Sequence, residues 1–266
     1  MMVTFAGDQA GIPGLRVWWL LEPASGSLSG DWIDVVRVPG GRVGLTIGDA
    51  AGHDGQAAAL AGVFRAVMRT ALLDGLEPDE VLGRALDEAA ALGDMGEMFA
   101  TAFVAVMDLS TGVVTYANAG HPAPVVVPGR GGGSWAVRQL GATGPVLSDL
   151  FAGSRLWSSR QVALAADDRL LLYTDGLVEA RDADGRPFGT APLFRGRYRT
   201  VPVDQLLAVL FAEAKAHRPG RPCDDRSMAV LARVAPGAPC SPAAGGRQAR
   251  PACPPQRPTP ASARHQ

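Results

Sequence analysis

The sequence predicts an α+β protein in which two antiparallel sheets pack together with helices on their outer faces. Three observations carry this expectation. Strand-like segments come first, a pair of helical segments follows, and a run of further strands, one helix and a last strand complete the order. That order is not the strand–helix alternation of a parallel sheet. Short turns such as "PGGR", "DLSTG" and "AADD" join consecutive strand-like segments in the manner of hairpins. Each helical segment carries an apolar stripe, so each covers a face and leaves the other to solvent.

Leu15–Leu21 and Trp32–Val38 read as strands, and "PGGR" turns the chain into a third, Val43–Gly48, which Asp49 ends. From Ala57 the period changes to that of a helix. Leu60, Phe64, Val67 and Ala71 recur on one face, with Val63, Met68 and Leu72 widening it. A second helix opens at Pro78, where the missing N–H costs nothing, and Asp79 and Glu80 complement its positive end. Its inward face is Val81, Leu82, Ala85, Leu86 and Ala89. Strands follow at Phe99–Met107, Val113–Asn118, Ala123–Val127, Trp135–Leu140 and Gln161–Leu164. The glycines of "GRGGGS" form a hairpin tip and not a phosphate loop, since no Lys-Ser/Thr follows and no helix opens there. Arg169–Thr174 is apolar almost throughout and is expected at the centre of a sheet. Pro202 to about His217 is a third helix with Val203, Leu206, Leu207, Leu210 and Phe211 inward, and Met228–Val234 is the last strand.

Composition narrows the function classes. The chain has 266 residues, 47% hydrophobic and 19% charged, as a globular protein does. No run of about 18 uncharged apolar residues occurs, so no membrane span is expected. The start "MMVTFAGDQAG" lacks the basic and long apolar regions of a secretory signal. The three cysteines have neither zinc-site spacing nor the even count of a disulfide framework, which points to a reducing cytoplasm. The segment from Ala235 holds eight of the 21 prolines and four arginines with no acid, and is expected to be a disordered tail over 235–266. Without it the remainder carries 21 basic and 26 acidic residues, a net charge of −5, which argues against a nucleic-acid surface. The expected layout is an N-terminal arm over 1–14, a single domain over 15–234, and the tail.

Acidic residues at strand ends share one grammar. Asp31 follows "SLSG" and leads into a strand, Asp49 closes a strand, Asp175 closes "LLLYT", and Asp224 and Asp225 precede the last strand. Taken singly, each reads as an Asx-turn acceptor or a helix cap. Taken together, carboxylates gathered at one sheet rim repel unless a cation neutralises them or one takes up a proton. A carboxylate set without His or Cys suits the hard ions Mg²⁺ or Mn²⁺. Two such ions acidify a water and clamp a phosphoryl group with no protein nucleophile. Convergence of the acids does not follow from the sequence alone.

The segments "SGDWIDVV", "GLTIGDAAGHDGQAAAL", "ATAFVAVMDLSTGVVTYANAGHPAPVVV", "LLLYTDGLVEARDADGRPFG" and "DDRSMAVLARV" occur in the order and spacing of one family. The chain resembles the SpoIIE/RsbU-type bacterial serine phosphatases, relatives of the protein phosphatase 2C (PPM) group, from about Leu15 to Val234. The resemblance implies a four-layer αββα sandwich with a two-metal centre at one edge. It also implies hydrolysis of phosphoserine or phosphothreonine on a protein by a Mn²⁺- or Mg²⁺-activated water. By motif, Asp31 matches a metal-site carboxylate acting directly or through water, Asp49 the bridging ligand, and the carbonyl of Ala50 a backbone ligand. Asp175 and Asp224 match the remaining carboxylates, and Asp225 supports Asp224 through hydrogen bonds. The implied substrate is a phosphorylated anti-anti-sigma factor of the STAS type in partner switching.

Some positions depart from the family pattern. Ser29-Gly30-Asp31 stands for Gly-Gly-Asp, Ile33 for an aromatic residue, Asp54 for a glycine, and Arg226-Ser227 where Thr is usual. None removes a metal carboxylate. His53 lies four residues after Asp49, not two as in the eukaryotic pattern, which weakens it as a general acid. Asn118 and His121 in "NAGHP" read as structural hydrogen-bonding residues. With no sensor segment read before Leu15, regulation is expected from a separate protein or the N-terminal arm. Two other readings stand beside the phosphatase: a catalytically silent signalling module of the same fold, and a hydrolase of small phosphoesters.

Overall fold

The computed structural model describes residues 5–8 (backbone only), 12, 14–24, 29–52, 55–93, 95–129, 136–194, 198, 200–220 and 222–233. His53, Asp54, residues 130–134 of the "GRGGGS" tip and the tail from 235 lie outside the described residues.

The strands are β1 (Phe5–Asp8), β2 (Leu15–Glu22), β3 (Asp31–Val38), β4 (Arg42–Ala50), β5 (Ala100–Asp108) and β6 (Val113–Ala119). They continue with β7 (Val125–Val127), β8 (Arg138–Gln139), β9 (Arg160–Ala163), β10 (Arg169–Tyr173) and β11 (Arg226–Arg233). The helices are α1 (Gly55–Leu73), α2 (Pro78–Leu92), the single turn α3 (Asp175–Val178) and α4 (Val203–His217). Every strand pairing is antiparallel. One sheet has the order β1-β2-β11-β10-β7-β8 and the other β3-β4-β5-β6-β9. β10 is interior, as its apolar sequence predicts. β1 lies in the segment expected as an arm, and pairs with β2 from Phe5↔Leu21 to Asp8↔Trp18.

Three apolar layers define the sandwich. Between the sheets, Val35, Val43, Leu45, Ile47, Phe103 and Tyr116 of the five-stranded sheet meet Val17, Leu170, Leu172, Ala229 and Leu231 of the six-stranded one. On the outer face of the former, Phe64, Met68, Leu82 and Leu86 of α1 and α2 pack against Trp32, Val36, Ala102 and Val104. On the outer face of the latter, Leu206, Leu210 and Phe211 of α4 cover Leu171, Tyr173, Met228 and Val230. The result is the predicted αββα order. The expected helix faces are buried, except that Val63, Val67 and Val203 are only partly so.

α1 is long and apolar enough to cross a bilayer by length and composition. Its Arg69 binds both oxygens of buried Asp34 at 2.8 Å, and Phe64 and Met68 are fully covered, so it serves here as a core helix. Glu80 at the start of α2 accepts the Glu77 N–H at 3.0 Å, half of a capping box that satisfies an otherwise orphaned donor.

The strand expected over 135–140 is only Arg138–Gln139 among the described residues, and two boundaries at the rim differ from the sequence expectation. β4 does not end before Asp49 but runs through Ala50, because β3 and β5 both continue alongside and supply the ladder. Asp175 does not close a strand: β10 ends at Tyr173, and Thr174 leads into α3, whose first residue is Asp175.

Candidate active site

Side chains alternate across a strand, so the residues at the sandwich rim inherit the facing of the core residues two positions away. Ile33 and Val35 point between the sheets, and therefore so does Asp31. Ile47 brings Asp49 to the same side, and Phe103 brings Thr101. The β3–β4 register places Asp31 directly opposite Asp49, and the β4–β5 register places Asp49 directly opposite Thr101. On the other sheet, Leu172 carries Thr174 inward, and Ala229 carries Ser227 and then Asp225 inward. Asp31, Asp49 and Asp225 thus face one opening from the two sheets. Asp175 and Asp224, one position out of that parity, come beside it through the turn α3 and the loop before β11 and act on Asp49 by their charge.

Glycines allow the close approach. A Cβ on Gly48 would lie 2.2 Å from the Trp32 ring and 2.6 Å from the Thr101 carbonyl oxygen, so no side chain fits there. A Cβ on Gly30 would lie 2.8 Å from the Ala50 carbonyl oxygen and 3.2 Å from Asp49 Oδ1. A Cβ on Gly176 would overlap the Asp225 carbonyl oxygen at 1.9 Å and lie 3.3 Å from Asp224 Cβ. The Gly-Asp pairs at 30–31 and 48–49 and the Asp-Gly pair at 175–176 therefore describe backbones that nearly touch.

The opening is electrostatically costly. Burial, and then the charge of Asp49, hold the Asp31 carboxyl well above the usual carboxylate range. Burial pushes Asp49 up to about 7, reinforced by the charges of Asp175, Asp224 and Asp225. Asp175 is raised by burial and then by Asp224 and Glu179. Asp224, although exposed at the rim, is raised by partial desolvation, with the charges of Asp225 and Glu179 adding to it and the Asp225 N–H opposing it. These mutual effects bring together the four acids read from the sequence, and add exposed Glu179, which the sequence reading passed over although it lies in "TDGLVEA". Among the described residues, no three His, Cys, Asp or Glu side chains close round one point as metal ligands do. The acids share a field and not a finished coordination shell.

Two hydrogen-bonded clamps tie the sheets at the rim. Thr174 Oγ donates to Asp31 Oδ2 at 2.8 Å and accepts the Ser227 N–H at 3.0 Å, while the Thr174 N–H donates to the Ser227 carbonyl at 3.0 Å. Asp31 is only 6% exposed, and its Oδ1 has no hydrogen-bond partner. Asp225 Oδ2 accepts Ser29 Oγ at 2.6 Å and the Gly30 N–H at 2.9 Å, and Oδ1 accepts the Ala24 N–H at 2.7 Å. The expected support of Asp224 by Asp225 comes from the main chain, whose N–H donates to Asp224 Oδ1 at 2.8 Å. The Asp225 carboxylate instead holds the turn that delivers Asp31. Thr174 continues the inward parity of β10, whereas Ser29 lies in the connection before β3 and carries no such signal.

Asn118 and His121 build the neighbouring loop. Asn118 Oδ1 accepts the His121 N–H at 2.8 Å, and its Nδ2 donates to the carbonyls of His121 and Leu140 at 3.1 Å. His121 Nδ1 shares a 2.9 Å hydrogen bond with Thr101 Oγ. Burial drops the His121 pKa to about 3, so the ring is neutral and no proton donor near pH 7.

An αββα sandwich with an acidic opening at the sheet rim is the architecture of the protein phosphatase 2C-like class. The family model "Stage II sporulation protein E (SpoIIE)" matches residues 39–234. That span includes Asp49, Ala50, Asp175, Asp224 and Asp225 and begins after Asp31. The phosphoserine phosphatase RsbP of Bacillus subtilis is 29% identical over 159 residues, 59% of this chain and 38% of RsbP. The crystal structure of the RsbU and RsbW domains of Rv1364c from Mycobacterium tuberculosis is similar with a TM-score of 0.67 and 27% identity, covering 81% of this chain and 60% of that one. RsbX in complex with magnesium shares the fold, with a TM-score of 0.64 and 12% identity over 86% of this chain and 100% of RsbX. The chain belongs to the SpoIIE family and is similar to RsbU- and RsbP-type proteins of the protein phosphatase 2C-like fold. It spans about a third of the length of the curated relatives it matches, 32% of one and 38% of another.

Proposed function

We propose that this chain is a divalent-metal-dependent phosphatase that removes phosphate from serine or threonine on a protein. The observation that carries the reading is the Asp31–Asp49 pair set opposite each other in register, with the charges of Asp175 and Asp224 acting on Asp49. Carboxylates raised this far by burial and by one another are a site that a cation relieves. The residues fit a hard divalent ion: the donors are all oxygen, and buried Asp31 Oδ1 has no partner. Asp31, Asp49, the Ala50 carbonyl, Asp175 and Asp224 would hold two Mn²⁺ or Mg²⁺ ions. The bound ions supply a water acidic enough to attack phosphorus near neutral pH and positive charge against the phosphoryl oxygens.

The chain's own part is arrangement. Its two sheets hold the carboxylates apart at fixed register, Asp225 holds the Ser29–Gly30 turn, and the neutral His121 takes no part in proton transfer. The proposed substrate is a phosphorylated STAS-type anti-anti-sigma factor, a reading supported by the likeness to RsbP and to an RsbU-containing protein. A cytoplasmic location and control by a separate protein accompany it.

Hydrolysis of an aryl phosphate with Mn²⁺, with chelator, and by Asp49→Asn and Asp175→Asn variants tests the reading. Metal-dependent turnover lost in both variants supports it. Wild-type protein that neither turns over nor binds Mn²⁺ would be a silent module. Activity on the aryl phosphate with none on any phosphorylated STAS protein would make it a small-phosphoester hydrolase.

A further inference from the structure

We infer that Thr174 is a positioning residue that sets which oxygen of Asp31 meets the cation. The inference rests on the proposed metal site. Asp31 sits on β3 of one sheet, and Thr174 follows β10 of the other, so their 2.8 Å hydrogen bond spans the sandwich at its rim. Thr174 Oγ has one proton to give, and it goes to Asp31 Oδ2. The hydroxyl cannot turn away cheaply, because it also accepts the Ser227 N–H at 3.0 Å, and Thr174 itself is fully buried. The Thr174 N–H bond to the Ser227 carbonyl fixes the backbone at the same point.

The consequence is an asymmetric carboxylate. Oδ2 accepts the Thr174 hydroxyl, whereas buried Oδ1 meets no donor in good hydrogen-bond geometry. The Ser227 hydroxyl, itself unpartnered, and the Asp49 carboxyl are the other side chains that interact with this carboxyl. A buried oxygen left so costs free energy. Asp49, directly opposite, raises that cost by its charge. A cation at Oδ1 answers both demands. Thr174 thus occupies one of the two Asp31 oxygens, favouring monodentate or water-mediated contact at the other over bidentate chelation. Partners that orient a ligand in this way affect metal affinity by about 10- to 100-fold when removed.

The test measures Mn²⁺ binding without turnover, by electron paramagnetic resonance of the free ion, on wild type, Thr174→Val and Thr174→Ser. Circular dichroism and tryptophan fluorescence confirm that each variant is folded. Thr174→Val, which keeps the shape and removes the hydroxyl, is expected to bind Mn²⁺ about 10- to 100-fold more weakly. Thr174→Ser, which restores the hydroxyl, is expected to return to within about threefold of wild type. In an Asp31→Asn background the Val substitution should add less than about twofold, since its effect passes through Asp31.

A folded Thr174→Val that binds like wild type overturns the inference, as does a Thr174→Ser variant as weak as Thr174→Val. Should the Val variant not fold, the Ser variant and Thr174→Ala decide by the same readout. Wild-type protein that binds no Mn²⁺ removes the metal reading itself, a different result from binding that is indifferent to Thr174.

Discussion

Asp31 and Asp49 stand directly across from one another in the β3–β4 ladder, with their side chains on the same inward face. Like charges in that position destabilise an antiparallel pair by up to about 1 kcal/mol, more where water is excluded. The metal-free protein therefore carries a built-in cost at its rim. Asp49→Asn is expected to raise the melting temperature of the chelator-treated protein by ~2–4 °C at pH 8, while abolishing metal-dependent turnover. A thermal melt beside the activity assay reads both, and a variant less stable than wild type would contradict the repulsion.

The same pair sets a pH dependence of unusual sign. A carboxylate raised in the folded state binds its proton there more tightly than in the unfolded chain. Its stabilising contribution is complete below the unfolded value near 4 and is lost as pH rises through the folded value, about 7 for Asp49. Metal-free protein should thus weaken between about pH 4 and 7 on account of this group. His121 acts oppositely: its depressed pKa removes stability as pH falls below about 6.5 toward 3. Urea titrations of Asp49→Asn and His121→Gln against wild type separate the slopes, and each variant should lose its own.

A cation at the proposed site would compete with the proton held near Asp49. Mn²⁺ affinity is expected to tighten about tenfold per pH unit below 7 and to level off above it, if one proton is displaced. Saturating Mn²⁺ should also flatten the pH slope due to Asp49. Calorimetry in buffers of different ionisation enthalpy counts the proton directly.

Asp225 holds three donors from the β2–β3 connection. Asp225→Ala leaves the Gly30 N–H and Ser29 hydroxyl short of their acceptor, and is expected to cost about 2–3 kcal/mol. It should also weaken Mn²⁺ binding, because the freed turn carries Asp31. Stability loss without any change in metal affinity would separate the clamp from the site.

Glycine substitutions distinguish rim from surface. Gly176→Ala drives a methyl into the Asp225 carbonyl and is expected to destabilise by about 1–3 kcal/mol and to disturb Asp224. Gly62, on the exposed face of α1 with open space around it, should respond to Ala with a gain of about 0.5–1 kcal/mol. Urea unfolding of the two variants is expected to move in opposite directions.

Much of this was legible in the chain itself. Periodicity located α1, α2 and α4 and most of their buried faces, because an apolar stripe has to be covered whatever covers it. Antiparallel order followed from the turns and from the position of the helices in the sequence. Asp31, Asp49, Asp175 and Asp224 stood out through their glycine and turn neighbours, and the close backbone contacts at Gly30, Gly48 and Gly176 show why those glycines are there. Thr174, Ser29 and Glu179 did not stand out, since a hydroxyl or an exposed acid carries no signal until its partner across the sandwich is known. Local hydrogen bonding over short spans also hid the boundaries: β4 reaches Ala50 only because β3 and β5 extend beside it.

The sequence by itself determined element types, the inward parity of each rim residue and the chemical nature of the donors, since those depend on neighbours one to four positions away. The tertiary structure alone decided that Asp31 and Asp49 face each other and that Thr174 and Asp225 reach across to hold them. Segments 201 positions apart, as in the Ala24–Asp225 bond, meet through sheet register and packing, and no local pattern encodes that distance.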